Sequence, residues 1–147
     1  MANSSFSFKQ FTVQQGQSAM KVTTDGCLFG AWVAREISQL NEHPGHCLDI
    51  GTGTGLLSLM IAQQNPDCHI EAVEIEKEAA DEAGRNCKAA GRQNQIRIIH
   101  QDILQYQPEK KFDILFSNPP FYEKELKGDD PKKNRAHHND GLLLTDL

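Results

Sequence analysis

The chain has 147 residues, room for one domain, with 38% hydrophobic and 24% charged residues and a net charge of −5. That profile belongs to a folded globular protein and excludes a disordered or fibrous one. No apolar run approaches the roughly 20 residues that cross a bilayer, MANSSFSFKQ lacks the pattern of a secretory signal, and the acidic balance weighs against a broad nucleic-acid surface.

In chain order, Phe6 to Val13 reads as a short strand, with Ser18 to Val22 as its partner. Thr24 or Asp25 is the expected N-cap of a helix running through Leu28, Trp32, Ile37 and Leu40, and His43-Pro44-Gly45 ends it. A regular alternation follows. Cys47 to Ile50 is a buried strand, Gly51 to Gly55 a glycine loop, and Leu56 to Gln64 an apolar helix stopped by Asn65-Pro66. Ile70 to Glu74 is a second strand. Lys77 to Ala90 is a helix with Ala79, Ala83 and Cys87 on one side, terminated by Gly91. Ile96 to Ile99 and Phe112 to Phe116 are a third and a fourth strand. Strands alternating with helices predict a parallel α/β sheet with right-handed crossovers.

After Phe121 the pattern lapses. Residues 123–140 are charged and irregular, and Gly141 to Leu147 begins a helix. A fourth strand left as a bare edge is unusual for a parallel sheet, so the fold is expected to be cut off after that strand. Cys27, Cys47, Cys68 and Cys87 form no C-x-x-C pair, which predicts neither a zinc site nor a disulfide framework and suits a reducing cytoplasm. His137 and His138 have no third ligand at metal spacing, so no metal is expected.

Four features carry chemistry. Asp49-Ile50-Gly51-Thr52-Gly53-Thr54-Gly55 lies between a strand and a helix, where ligands bind at the carboxyl ends of parallel strands. The dinucleotide fingerprint G-x-G-x-x-G fails, because Leu56 stands at its third position. G-x-G-x-G after an acid resembles motif I of class I methyltransferases. An S-adenosylmethionine ammonium has a neutralising partner in Asp49, but a tight turn with no ligand fits the same letters. Glu74, ending the second strand, suits ribose hydroxyls, or is a solvated strand-end charge with Glu76 beside it. Asp102 ends the third strand and is equally ordinary turn chemistry.

The most specific feature is Asn118-Pro119-Pro120-Phe121 at the end of the fourth strand. It resembles the D/N-P-P-Y/F motif IV of amino methyltransferases. An exocyclic amine is a poor nucleophile, because its lone pair is delocalised into the ring. The Asn118 side-chain oxygen and the Pro119 carbonyl are placed to accept its two N–H bonds and stabilise the charge that grows on nitrogen. The prolines stiffen the loop, and Phe121 offers a stacking face for a flipped base. The competing reading is a surface turn.

The N-terminal segment narrows the resemblance. Phe8-Lys9-Gln10-Phe11 and the run Met20 to Trp32 (MKVTTDGCLFGAW) look like the opening of the bacterial tRNA1(Val) adenine-N6 methyltransferases. The likeness runs from Phe6 to about Leu144. It implies a Rossmann-like class I methyltransferase fold: a small β-hairpin and helix cap over residues 1–44, and an S-adenosylmethionine-binding domain over 45–147, incomplete at its C-terminus. By the same resemblance Lys21, Thr24 and Asp25 close the site, Asp49, Gly51, Gly53, Gly55, Glu74, Asp102 and Asn118 serve the cofactor, and Asn118, Pro119, Pro120 and Phe121 hold the adenine. The implied substrate is tRNA, at the adenine 3′ of the anticodon, with Arg135 the loop residue expected to touch it. Alternatives are guanine N2 of ribosomal RNA, a protein glutamine N5, or a cofactor-binding fragment that transfers nothing.

Overall fold

The computed structural model describes residues 3–42 and 44–119. Residues 5–14 form a hairpin, β1 (Ser5–Ser7) and β2 (Thr12–Gln14). The body follows as α1 (Thr24–Ser38), β3 (His46–Ile50), α2 (Leu56–Gln64), β4 (His69–Glu74), α3 (Lys77–Ala89), β5 (Ile96–His100), a 3₁₀ turn at Ile103–Gln105 and β6 (Ile114–Ser117). The last four strands make one parallel sheet in the order β5-β4-β3-β6. The predicted α/β alternation is therefore present, and β3 and β6 are neighbours, with Ile50 opposite Ser117.

Strand periodicity sorts the core into two faces. Cys47, Ile70, Ala72, Ile96 and Phe116 pack with α1 and α2 in the main cluster. Leu48, Ile50 and Val73 point the other way, against Ile99, Ile103, Tyr106 and Phe112. β3 is buried on both faces, as a central parallel strand must be. α2 is apolar nearly all round, and it is buried nearly all round, with α1 packed along it. Val13, Val33 and Ile37 belong to the same cluster as Leu56, Leu59 and Ile61, so the cap and the body share one core.

Three expectations change. Phe6 to Val13 is not one strand. It folds back on itself, pairing Phe6 with Val13, and the Phe8 amide donates to the Phe11 carbonyl at 2.8 Å. Ser18 to Val22 is not its partner strand. The amides of Gly16, Gln17 and Ser18 are taken by the Glu82 side chain, and the Val22 amide by Gln15 Oε1, which leaves no ladder to form. The N-cap of α1 is Thr23, one residue earlier than expected; its hydroxyl accepts from the Gly26 amide at 3.1 Å.

The inward face of α1 also differs. Leu28 and Trp32 are 64% and 58% exposed, and Leu40 45%, whereas Gly26, Gly30, Val33, Ala34 and Ile37 are buried. Close packing decides this. A Cβ at Gly30 would stand 2.7 Å from Met60 Sδ and 3.1 Å from Leu57 Cδ2, so only the glycine row lets α1 approach α2. Leu28 and Trp32 are left outside, while Phe29 packs partly against the core.

The cysteines are all free, but Cys47 and Cys68 are not isolated: their buried sulfurs lie 2.9 Å apart, where β3 runs beside the start of β4. Among the described residues no helix is long and apolar enough to cross a membrane, and no group of three metal-ligating side chains converges.

Candidate active site

A cavity of about 490 Å³ opens at the carboxyl tips of the parallel strands. That is within the range of roughly 300–1,000 Å³ typical of small-molecule sites, at the place where α/β sheets bind ligands. One wall is the glycine loop after β3. The tips of β4 and β5 supply Glu74 and Asp102, the tip of β6 supplies Asn118 and Pro119, and residues 17–23 form the opposite wall.

The sequence-predicted residues divide accordingly. Lys21, Gly51, Gly53, Glu74, Asp102, Asn118 and Pro119 line this one cavity. Thr24, Asp25, Asp49 and Gly55 lie outside its wall. Thr24 and Asp25 open α1, where the acid complements the positive end of the helix. Gly55 closes the loop in a left-handed conformation (φ 82°), and a Cβ there would meet Ala83 at 3.4 Å. Pro120 and Phe121 lie outside the described residues, as do the 123–140 loop, Arg135, His137, His138 and the helix expected at Gly141 to Leu147.

The loop is held by side chains beneath it. Glu74 is buried; its Oε2 accepts from the Gly53 amide at 2.8 Å and its Oε1 from the Glu76 amide at 3.0 Å. The hydrogen bond to Gly53 spans 21 residues, the separation at which a strand-end acid serves a nucleotide ribose. Asp102 Oδ1 accepts from the Leu104 amide at 2.9 Å and caps the 3₁₀ turn. Ser117 donates to the Ile50 carbonyl at 2.8 Å, tying the tip of β6 to the tip of β3.

Asp49 is fully buried below the loop. Its Oδ2 accepts from the hydroxyls of Thr52 and Ser58, each at 2.7 Å, and its Oδ1 has no protein partner. Burial pushes its pKa up to about 6, against the pull of the Ser58 and Thr52 hydroxyls and with a further push from the charge on Glu74. The folded value thus stands above the unfolded value of 3.8. Between those two values the folded state binds the proton more tightly, so this group's stabilisation is complete below about pH 4 and lost as pH rises through about 6. The difference corresponds to about 3 kcal/mol. Comparing denaturation of the wild type and Asp49→Asn from pH 4 to 7, the wild type should lose ground to the variant across that window and hold a constant difference above it. A pH-independent difference would remove Asp49 as the titrating group.

Among the described residues the ionisable ones on the cavity wall are Lys21, Glu74, Glu76, Glu78 and Asp102, four acids against one base. The Lys21 ammonium donates to the Gln15 carbonyl. Such a wall suits a ligand with cationic groups and repels a pyrophosphate. Sulfonium and ammonium groups fit it, and the unpartnered carboxylate oxygen of Asp49 behind it adds to the negative charge they would meet. Sequence reasoning missed Glu82, Asn86, Ser58 and Ser117. The first two carried a signal: they are polar residues among Ala79, Ala83 and Cys87 on the inward side of α3.

Comparison with known proteins agrees with this geometry. A tRNA1(Val) (adenine(37)-N6)-methyltransferase of Bacteroides thetaiotaomicron is 45% identical over 148 residues, covering 100% of this chain and 60% of that protein. Its namesake in Dyadobacter fermentans is 43% identical over 145 residues, covering 99% and 58%. The chain thus spans about three fifths of the length of the curated relatives it matches. Among solved structures, a SAM-dependent methyltransferase from Agrobacterium tumefaciens superposes with a TM-score of 0.65 at 20% identity, over 82% of this chain and 41% of that one. An O-methyltransferase from Bacillus cereus gives 0.56 at 17%, over 69% and 47%. The fold is the Rossmann-like class I methyltransferase fold. The model of the methyltransferase small domain matches residues 34–133, most of the cavity-forming body, and the chain belongs to that family.

Proposed function

We propose that the full-length protein transfers a methyl group from S-adenosylmethionine to the exocyclic N6 of an adenine in tRNA, the adenine 3′ of the anticodon of tRNA1(Val). The observation that carries this reading is the shared cavity: Asn118 and Pro119 at the tip of β6 face the same space as the glycine loop and Glu74. The names borne by the relatives supply the substrate, and a cytoplasmic setting follows from a tRNA substrate.

When bound, S-adenosylmethionine supplies a methyl group already activated on a sulfonium. The chain's own work is to bind and to align. Glu74 takes the ribose hydroxyls while keeping Gly53 in place, and Asp102 takes the adenine amino group of the cofactor. Asp49 places negative charge behind the glycine loop, and Lys21 belongs to the N-terminal wall, with Thr24 and Asp25 opening α1 just behind it. Asn118 Oδ1 and the Pro119 carbonyl accept from the target amine. They would orient its lone pair and stabilise the positive charge that develops on nitrogen. By the same reading Pro120 and Phe121 would complete the adenine side of the site. Alignment of the two reactants would supply much of the rate, and the proton shed by the methylated nitrogen would pass to water, with no general base needed.

The test is genetic and chemical. Nucleosides of tRNA and ribosomal RNA from a deletion strain are compared with the parent by mass spectrometry. The proposal expects N6-methyladenosine to vanish from tRNA1(Val) alone. Intact N6-methyladenosine there, with N2-methylguanosine lost from ribosomal RNA, would reassign the substrate.

A further inference from the structure

Residues 17–23 form one wall of the cavity, and they and the residues leading into them, 14–16, are fixed from an unexpected direction. Glu82, only 3% exposed, reaches from the middle of α3 and accepts three consecutive amides. Its Oε2 takes Gly16 at 2.8 Å and Gln17 at 2.9 Å, and its Oε1 takes Ser18 at 3.0 Å. One turn later Asn86, 1% exposed, accepts from the Gln14 amide at 2.8 Å and donates to the Gln14 carbonyl at 2.9 Å. Asn86 Nδ2 also donates to the Thr54 carbonyl at 2.9 Å. One side chain therefore ties the end of β2, which leads into the 17–23 strap, to the glycine loop at Thr54. The strap is stapled onward by Gln15 Oε1, which accepts from the Val22 amide at 2.8 Å. It meets the glycine loop directly: a Cβ on Gly53 would sit 3.5 Å from Ser18 Oγ.

Neither Glu82 nor Asn86 lines the cavity, but Glu82 holds the Gln17 and Ser18 amides of one wall and Asn86 the Thr54 carbonyl of the other. Their burial is costly unless every polar atom is satisfied, and here the satisfied partners are backbone groups of the two walls. We propose that Glu82 and Asn86 are positioning residues for the cofactor, fixing the 17–23 strap against the glycine loop so that the cavity is formed before the ligand arrives. The inference rests on the cofactor reading above. A preformed wall saves the ordering cost that a loose strap would levy on binding.

The experiment is titration of full-length protein with S-adenosylmethionine, wild type against Glu82→Gln. The amide of glutamine presents a donor where the carboxylate accepted, so at least one strap amide loses its partner. The expected result is a Kd and a KM for cofactor raised about tenfold, the equivalent of one hydrogen bond to a charged group. Turnover at saturating cofactor should stay within about twofold, since nothing at the β6 tip changes. A core trim remote from the cavity, Ile70→Val, should lower thermal stability and leave Kd unmoved. Hydrogen exchange on wild-type protein gives a second reading that needs no variant: the amides of Gly16, Gln17 and Ser18 should already be protected before S-adenosylmethionine is added. An unchanged Kd in folded Glu82→Gln, or strap amides that exchange freely until cofactor binds, overturns the positioning role and leaves the cofactor reading standing. Absence of S-adenosylmethionine binding to the wild type overturns both.

Discussion

Replacing Asn118 by alanine should lower the rate of methyl transfer by about 10²–10³-fold, the range lost when one preorganised group that stabilises transition-state charge is removed. Cofactor affinity should change little. The residue sits at the end of β6, on the wall formed by the strand tip, whereas the glycine loop, Glu74 and Asp102 form the others. The amine carries little charge before attack and gains positive charge during it, so the Asn118 oxygen contributes most in the transition state. The loss should therefore appear in single-turnover rate at saturating cofactor. Asn118→Asp keeps an oxygen acceptor and should retain more activity than the alanine variant. Normal turnover in Asn118→Ala would remove the residue from the chemistry. A rise in cofactor Kd matching the fall in rate would make it a binding residue instead.

The second large effect belongs to Glu74. Glu74→Ala should weaken S-adenosylmethionine binding by about 30–100-fold, corresponding to roughly 2–3 kcal/mol. Two losses combine. The ribose hydroxyls lose their acceptor, and the amides of Gly53 and Glu76 lose theirs. An unmet buried N–H costs about 1–3 kcal/mol on its own, so the glycine loop loosens at the residue nearest the strap. Calorimetric titration checks the size of the effect, and a melting curve checks the loop. With saturating cofactor, turnover should recover most of the wild-type value, the reverse of the pattern at Asn118. An affinity within threefold of wild type would show that the carboxylate serves the loop and not the ligand.

The body of the fold was legible because its punctuation is local. Gly55 and Asn65-Pro66 bracket α2, and the helix found, Leu56–Gln64, has the expected bounds. Strand-end residues such as Glu74 and Asp102 follow from the alternation, and the sheet brings them to one cavity. The misses are tertiary. The inward face of α1 is chosen by how closely Gly30 approaches Met60, a contact 30 residues away in sequence that no apolar periodicity reveals. The strap has the composition of a strand and becomes a loop, because Glu82 competes for its amides. The place of Asp49 behind the cavity wall, bonded through one oxygen to Thr52 and Ser58, is likewise invisible in the sequence. Cys47 and Cys68, 21 residues apart, meet only because β3 and β4 pair in that register.

The most direct test joins the two strand tips in one reaction. Full-length protein is incubated with methyl-labelled S-adenosylmethionine and unmethylated tRNA1(Val), and the product is digested to nucleosides. The label should appear on N6 of the adenine that follows the anticodon, and its initial rate of appearance should fall about 10²–10³-fold when Asn118 is alanine. Label on guanine N2, label on protein glutamine, or label on adenine at the wild-type rate in Asn118→Ala would contradict the account.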